Sequence, residues 1–373
     1  MKICFYAPFK SIGHRHPSGD VVIANGLYDF FSRRGHTLRL ASTLRTRWIF
    51  WKPWLLPHFL RERHRVARRF SRKNTDLWFT YHSYYKGPDL LGPAAANKIR
   101  IPYVIFQGVF STKRKRDIRT WPGFVLNKRA LCAADHVFTN KRVDLLNLQR
   151  LLPSHRITYV APGIFPEDFR FDPKARQQMR SELRLGDEPV VLSAAMFRPG
   201  VKTQGLEWVI RTCGRLLNHG NRCHLLIAGD GKERKRLQNL ARVKLNGRAH
   251  FIGKLPRDKM YKFYSAGDLF VFPGIKEGLG MVFLEAQACG LPVVAFANEG
   301  IPEVVSDQET GFLTPMYAAE SFDRVIDILL ADRALRRKMG KAARAYVRDK
   351  HDLNKNYREM EGILKKIVGK RHG

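Results

Sequence analysis

The chain has 373 residues, of which 44% are hydrophobic and 27% are charged, and it carries a formal net charge of +34 with a pI near 10.4. This length exceeds what a single core usually supports, so two domains are expected, and the composition excludes a disordered or fibrous protein. The excess of positive charge implies an anionic partner. Nucleic acid, an anionic membrane surface and phosphorylated substrates all stay open on charge alone.

The cysteines and the apolar runs indicate the cellular compartment. The five cysteines are scattered and odd in number, without a C-x-x-C spacing, which argues against a disulfide framework or a zinc site and for a reducing compartment. No apolar run reaches the roughly 18 to 20 residues that cross a bilayer. The first residues, MKICFYAPF, are typical of a buried strand rather than a signal peptide. We therefore expect a cytoplasmic protein without a bound metal.

The first half of the chain alternates strand-like and helix-like segments. Strands are predicted at KICFYAPF, HTLRLAS, DLWFTYH, YVIFQG and HVFTN, and VVIANGLYDFFSRRG has helical periodicity that ends at Gly35. This β-α-β-α order predicts a parallel sheet covered by helices on both faces.

Residues 47–73 combine aromatic side chains with an arginine-rich helical stretch. Residues 113–116 (KRKR) add a second basic patch. Aromatic side chains beside basic ones suit a peripheral contact with an anionic membrane surface. The alternative is a surface loop whose aromatics pack onto their own domain. No module typical of nucleic-acid binding is present, so nucleic acid is the less favoured partner.

The second half repeats the same rhythm after a proline-rich and charged bridge at residues 161–176. Strands are predicted at EPVVLSAAMF, CHLLIAGDG, AHFIGKL, LFVFPG and LPVVAFA, with a helix at GLEWVIRTCGRLLNHG and a basic helical tail from about Asp349. The predicted fold is therefore α/β with two Rossmann-like, doubly wound parallel-sheet domains that face a central cleft. Their predicted bounds are 1–165 and 166–349, and the helix at about 350–373 is expected to pack back on the first domain.

The segment from Lys276 to Gly290, KEGLGMVFLEAQACG, predicts a glycine-rich loop followed by a helix. Glycines let the backbone approach a ligand, and the free N–H groups of a first helical turn attract anions. Glu277 lies in the loop, and Glu285 lies in the second turn, from which its side chain leans back toward the helix start. Such a set suits a ligand that combines a diphosphate with sugar hydroxyls. The alternative is an ordinary strand–loop–helix unit with solvated glutamates.

The E-x7-E spacing of Glu277 and Glu285, together with GIPEVVSDQETGFLTP at residues 300–315, resembles the signature of the family-4 retaining glycosyltransferases of GT-B fold. The resemblance implies that Glu277 faces the transferred sugar and that Glu285 holds the ribose hydroxyls. It places the distal phosphate on the backbone around Gly278, Leu279, Gly280, Met281 and Val282.

Arg198 and Lys202 lie between a predicted strand and a predicted helix of the second domain. A cation pair there can neutralise a leaving diphosphate, with its larger benefit in the transition state. The family usually has G-R-x4-K-G at this point, whereas here the Arg–Lys spacing is shorter and the glycine is Gly205. The resemblance still implies catalytic roles for Arg198, Lys202 and Glu277.

Other segments resemble the family more loosely. Gly229 lies in a glycine turn that would flank the nucleotide, the backbone of Lys254 and Leu255 would contact the base, and Gly19 would lie near the donor phosphates or the acceptor. Gln107 stands where family members often carry a histidine, and glutamine cannot act as a general base. His82 ends the preceding strand and is a second acceptor-side candidate, with a strand-end structural histidine as the alternative.

These observations predict a retaining, metal-independent hexosyltransferase that needs no cofactor beyond its donor substrate, a UDP- or GDP-linked sugar. Its acceptor would be a cell-envelope glycan or a lipid-linked glycan, bound by the first domain at the inner face of the membrane. Two other classes stay open: a nucleotide-sugar epimerase of the same fold, and a non-catalytic basic adaptor for membranes or nucleic acid.

Overall fold

A computed structural model describes residues 1–10 and 19–372 of the chain. The chain divides into two compact units, one formed by Met1–Ala161 with Asn354–Gly373 and the other by Pro162–Leu353. Each unit has its own hydrophobic core around its own parallel sheet.

The strands of the described residues all belong to these two sheets. In the first unit they are β1 (Lys2–Tyr6), β2 (Thr37–Leu40), β3 (Leu77–Ser83), β4 (Tyr103–Gly108), β5 (His136–Thr139) and β6 (Ile157–Tyr159). In the second unit they are β7 (Val190–Ala194), β8 (His224–Ala228), β9 (Ala249–Gly253), β10 (Leu269–Val271), β11 (Val293–Phe296) and β12 (Gly311–Thr314).

The helices of the described residues cover both faces of the sheets. They are α1 (Gly19–Arg33), α2 (Leu56–Arg69), α3 (Gly92–Ile99), α4 (Trp121–Ala133), α5 (Arg142–Leu148), α6 (Pro173–Glu182), α7 (Val201–Asn218), α8 (Arg234–Leu245), α9 (Met260–Ala266), α10 (Met281–Ala288), α11 (Ala319–Ala331), α12 (Arg333–Lys350) and α13 (Leu353–His372).

The strand orders are β2-β1-β3-β4-β5-β6 and β12-β11-β10-β7-β8-β9, and every pairing within them is parallel. Strands β4, β5, β7 and β11 are buried along their whole length, as expected for strands covered on both faces. The prediction of two doubly wound parallel sheets is confirmed.

In each sheet, successive strands first lie on one side of the first strand, and the later strands then lie on its other side. This reversal lies between β1 and β3 in the first sheet and between β7 and β10 in the second. Ligands of open α/β sheets bind at such reversals, beyond the carboxyl ends of the strands. The loops that follow these four strands are therefore the places to look for function.

The sequence did not predict strands β6 and β12 or several of the helices, among them the long helix α12. Strands β6 and β12 have three and four residues, too few to show a periodic pattern, and α12 is mostly polar because only one narrow stripe of it is buried. The other predicted strands are observed within a few residues of their predicted bounds.

The C-terminal helix α13 is part of the first unit, where Glu361 anchors it. Its carboxylate accepts hydrogen bonds from Arg34 Nε at 3.0 Å and Lys365 Nζ at 2.6 Å, and it lies 3.0 Å from His36 Nε2. Burial alone would raise the pKa of Glu361, but the hydrogen bonds from Lys365, Arg34 and His36 lower it to about 2. This charged cluster, with Tyr357 packed edge-on against Phe30, holds the helix on the sheet that begins at β1.

Candidate active site

Two loops of the second unit lie side by side at the reversal of its sheet. Residues 195–200 follow β7, and residues 272–280 follow the neighbouring strand β10. In a parallel sheet the carboxyl ends of adjacent strands share one edge, so the two loops can contribute to the same site.

Lys202 and Glu277 join these two loops directly. Lys202 is the second residue of α7, and its Nζ donates a hydrogen bond to the Glu277 carboxylate within an ion pair. The two side chains are 33% and 20% exposed, so a ligand in solution can reach both of them. Lys202 Nζ also lies 5.4 Å from the centre of the Phe272 ring, which gives the cation a defined position.

Arg198 belongs to the same loop but lies outside this ion pair. Its backbone carbonyl accepts a hydrogen bond from Thr203 Oγ1 at 2.6 Å, which ties the loop to the first turn of α7. Its guanidinium is exposed, with Nη2 2.8 Å from Met196 Sδ. The structure thus brings together two of the three residues predicted to be catalytic, and it leaves the third on the loop beside them.

The start of α10 offers an anion site on the same edge of the sheet. Gly280 precedes the helix in a left-handed conformation, with φ of 58°, and no side chain caps the helix there. The first N–H groups of a helix have no acceptor within the helix, so those near Met281 and Val282 are available to an anion. Both residues are half-buried, as are Gly278 and Leu279 in the preceding loop.

The loop between β10 and α10 is held by the segment that follows β11. Asn298 Nδ2 donates to the Gly274 carbonyl at 3.0 Å, and the Gly300 amide donates to the Glu277 carbonyl at 3.4 Å. The backbone comes so close here that a Cβ at Gly300 would lie 2.0 Å from the Gly278 oxygen. Ile301, which is fully buried, packs against Gly274 from the same side. The segment at residues 298–301 therefore sets the position of Glu277.

Glu285 is buried and already has partners within the chain. One carboxylate oxygen accepts a hydrogen bond from Arg257 Nη1 at 3.0 Å, and the other accepts one from the Tyr264 hydroxyl at 2.9 Å. Burial raises the pKa of Glu285, while Arg257 and Tyr264 act in the opposite direction. Each oxygen keeps a further lone pair, so a ribose contact at Glu285 stays a prediction. The sequence pattern gives no sign that Arg257 and Tyr264 meet Glu285.

Gly229 and Gly231, in the turn after β8, let the loop that carries Arg198 pack closely against this turn. A Cβ at Gly229 would lie 1.9 Å from the Ala195 oxygen, and both glycines have strongly positive φ values. The glycine turn is therefore required by packing, whether or not it also flanks a nucleotide. Lys254 is exposed and Leu255 is half-buried just after β9, at the same edge of the sheet.

His82 and Gln107 are neighbours at the corresponding edge of the first sheet. They are the penultimate residues of β3 and β4, whose pairing sets Tyr81 opposite Phe106 and Ser83 opposite Gly108. Both have left-handed backbones, with φ of 62° and 57°, which is uncommon outside glycine and tends to mark functional positions. Phe9, from the loop after β1, lies edge-on to His82 at 5.6 Å. Gly19 begins α1, but the loop expected before it, residues 11–18, lies outside the described residues.

A cavity of about 380 Å³ in the first unit was not predicted from the sequence. It lies beyond β4 and against α5, and its basic lining residues are Lys113, Arg114 and Arg150. Part of the predicted basic patch at residues 113–116 therefore borders a cavity. Nothing in the sequence pattern brings Arg150 of the turn after α5 to the same place.

The described residues, 1–10 and 19–372, hold neither a candidate metal centre nor a candidate membrane-spanning helix. They contain no cluster of three or more histidine, cysteine or acidic side chains placed to hold a metal ion. None of their helices is long and apolar enough to span a bilayer.

Two consecutive doubly wound parallel sheets are the architecture of the GT-B fold. Residues 175–346 match the sequence profile of the family described as Glycosyl transferases group 1, so this part of the chain is similar to that family. The matched region contains both loops of the candidate site.

Characterised relatives resemble about half of the chain. The GDP-mannose-dependent alpha-(1-6)-phosphatidylinositol monomannoside mannosyltransferase of Mycolicibacterium smegmatis is 33% identical over 206 residues, which are 53% of each chain. The alpha-D-kanosaminyltransferase of Streptomyces kanamyceticus is 28% identical over 240 residues, 63% of this chain and 61% of the relative. The similarity thus spans less than two thirds of each relative's own length.

Solved structures resemble nearly the whole chain in fold. The sucrose-phosphate synthase of Thermosynechococcus elongatus superposes with a TM-score of 0.72 at 21% identity, over 99% of this chain and 100% of that one. Anabaena HepE, solved in complex with UDP, superposes with a TM-score of 0.75 at 18% identity, over 98% and 100%. At these identities the likeness shows the GT-B fold alone.

Proposed function

We propose that the protein is a retaining glycosyltransferase that moves a hexose from a nucleotide-diphosphate sugar to a cell-envelope glycan or a lipid-linked acceptor. The observation that carries the proposal is the Lys202–Glu277 pair beside the uncapped start of α10. A cation, a carboxylate and free N–H groups on one edge of a sheet match a ligand that joins a diphosphate to sugar hydroxyls.

In this proposal the donor binds with its distal phosphate on the amides at Met281 and Val282 and near Lys202. Glu277 accepts hydrogen bonds from the sugar hydroxyls, and Arg198 swings from Met196 to the diphosphate. The bond between the anomeric carbon and the phosphate oxygen breaks as the acceptor oxygen bonds to the same face of that carbon. The acceptor's proton goes to the leaving phosphate. The residues that neutralise the leaving group are basic side chains and amides, so no metal is required.

The other predicted donor residues keep their assignments in the proposal. Gly229 flanks the nucleotide, the backbone of Lys254 and Leu255 contacts the base, and Glu285 uses its remaining lone pairs on the ribose. Arg257 and Tyr264 fix the orientation of that carboxylate.

We assign acceptor binding to the first unit, near Gly19, His82 and Gln107. The left-handed backbone at His82 and Gln107 and the basic cavity lined by Lys113, Arg114 and Arg150 support an acceptor that carries a phosphate.

A screen of nucleotide sugars tests the proposed reaction. We expect one UDP- or GDP-linked hexose to raise the thermal unfolding temperature, and the same donor to yield a glycosylated product with cell-envelope lipid extracts in the presence of EDTA. Nuclear magnetic resonance of the product should show the anomeric configuration of the donor. Isomerised donor without acceptor would instead indicate an epimerase, and failure to bind any nucleotide or nucleotide sugar would favour a non-catalytic adaptor.

The first unit also presents apolar side chains suited to a membrane surface. Trp54, Leu56 and Leu60 are 69%, 55% and 50% exposed at the start of α2, and Ile118 is 81% exposed. Trp51 Nε1 donates to the Arg119 carbonyl at 2.9 Å, which holds the predicted segment at residues 47–73 against the stretch of chain that follows residues 113–116. Trp48, by contrast, packs against Phe50 and Tyr85, so the aromatic segment is partly structural. Exposed aromatics beside arginines support peripheral binding at the inner leaflet.

Vesicle sedimentation tests this membrane contact. We expect the wild-type protein to sediment with anionic vesicles at low salt and to be released at high salt, because surface electrostatics are screened. The Trp54→Ser/Ile118→Ser variant should lose most of this binding because it removes the two most exposed apolar anchors of the surface. The control Val243→Ser/Ile328→Ser, which removes exposed apolar side chains of the second unit, should bind like wild type. Equal binding by both variants would refute the proposed surface.

A further inference from the structure

A second basic site lies at the amino ends of the strands of the second sheet, whereas the candidate active site lies at their carboxyl ends. It is a cavity of about 770 Å³ whose lining includes Gly267 and Asp268, just before β10, and Gly290 and Leu291, just before β11. The loops of the candidate active site follow the carboxyl ends of β7 and β10. A five-residue strand such as β7 is about 17 Å long, so one small ligand cannot occupy both places.

The cavity gathers positive charge from two helices. Arg176 and Arg180 come from α6, and Arg333, Arg336, Arg337, Lys341 and Arg344 come from α12. Only two carboxylates, Asp187 and Asp268, line the same cavity. Positive side chains are frequent throughout this chain. A cation in the cavity therefore points to a ligand only if it does not already bond to other residues of the chain.

Four of the arginines bond to other residues of the chain. Arg176 and Arg180 both bond to Asp268, at 2.7 and 3.2 Å. Arg336 donates to the carbonyls that end α11, and Arg344 donates to the Cys289 carbonyl at 3.1 Å. These contacts fix the walls of the cavity, and Asp268 is already neutralised by its two partners.

The other three cations are not explained by contacts within the chain. Arg333, Arg337 and Lys341 follow one another at intervals of four residues, so they form a single stripe along α12. Throughout the part of the chain that the structure describes, no hydrogen bond or ion pair joins their side chains to another residue. Like charges at this spacing repel each other and destabilise a helix.

Arg336 is half-buried in the cavity, whereas Arg333, Arg337 and Lys341 are exposed. Burial lowers the pKa of Arg336, and the neighbouring Arg333 and Arg176 act in the same direction, while Asp268 and Asp332 act in the opposite one. The backbone of α12 also approaches very closely, since a Cβ at Gly340 would lie 2.2 Å from the Gly290 oxygen. This close packing fixes the backbone of α12 and so the positions from which Arg333, Arg337 and Lys341 extend.

We propose that this cavity is a second anion site that binds a ligand carrying two or more phosphate groups. The stripe from Arg333 to Lys341 extends about 12 Å along the helix, which one phosphate cannot span but linked or paired phosphates can. Guanidinium groups bind phosphate oxygens through paired, charge-assisted hydrogen bonds. The same chemistry is found in a free polyphosphate compound and in the headgroup of a phosphorylated lipid.

Calorimetric titration with tripolyphosphate tests the site. All proteins carry Arg198→Ala/Lys202→Ala, so that the probe does not bind through the cations of the candidate active site. The cavity variant Arg337→Gln/Lys341→Gln is expected to weaken tripolyphosphate binding by about tenfold or more, because two charge-assisted contacts are lost. The control Lys338→Gln/Arg348→Gln removes the same charge from exposed positions of the same helix that do not line the cavity. It should change the dissociation constant by less than about twofold.

Vesicles that contain phosphatidylinositol bisphosphate, whose headgroup carries more than one phosphate, form the second arm, measured with the same proteins. Loss of tripolyphosphate binding in the cavity variant but not in the control supports a free ligand. Loss of vesicle binding alone, again confined to the cavity variant, supports a lipid headgroup. Equal effects of the cavity and control variants, or no binding of either probe, would overturn the proposal. Far-ultraviolet circular dichroism and the unfolding temperature establish that each variant is folded.

Discussion

Replacement of Lys202 by alanine is expected to lower the turnover of sugar transfer by about 10²- to 10³-fold, the usual effect of losing one group that stabilises developing negative charge. Lys202 is the cation that the structure holds against Glu277 at the reversal of the second sheet. In the proposed reaction it faces the diphosphate as the glycosidic bond breaks. The loss should therefore appear in kcat more than in the binding of substrate.

Three further variants make this result interpretable. Lys235→Ala removes an exposed lysine from α8 of the same unit and should keep full activity. Lys202→Arg keeps the charge and should recover part of the turnover. Glu277→Gln keeps a hydrogen-bond acceptor for Lys202 but loses the charge, and it separates the role of the carboxylate from that of the pair. Near-wild-type kcat in folded Lys202→Ala would refute the assignment.

Gly300→Ala is expected to weaken donor binding about tenfold and to destabilise the protein by ~1–3 kcal/mol, as overpacking of a close contact does. The new Cβ would lie 2.0 Å from the Gly278 oxygen and 2.8 Å from the Gly278 carbonyl carbon. Both are backbone atoms of the loop that carries Glu277, so the loop has to shift. Because Gly300 has a negative φ of −90°, the effect would come from the steric contact and not from backbone strain.

The matched control is Gly362→Ala in α13, where an added Cβ meets no atom within 4 Å. Alanine is the better helix former, so this variant should be neutral or stabilised by up to ~1 kcal/mol. Thermal unfolding measures the stability of both variants, and titration with the nucleotide sugar identified in the screen measures donor affinity. Unchanged donor affinity in Gly300→Ala would show that the segment at residues 298–301 does not set the position of Glu277.

Much of the fold could be predicted because its signals are local. Continuous apolar runs such as Val293–Phe296 predict buried parallel strands, and alternation with amphipathic helices predicts doubly wound sheets. The glycine loop and helix start at residues 278–282 are also local, since turn chemistry and helix capping depend on a few adjacent residues. Very short strands escaped prediction because three residues carry no period.

The sequence by itself therefore determined the two-sheet architecture and the loop–helix segment of the candidate site. Only the tertiary structure decided which side chains meet. Lys202 and Glu277 are 75 residues apart, and Glu285 has partners 28 and 21 residues away. The stripe on α12 faces arginines of α6 more than 150 residues earlier in the chain. Such contacts depend on the order of the strands in the sheet and on how closely two loops can approach each other at glycines. Neither feature can be deduced from a local pattern of residue types.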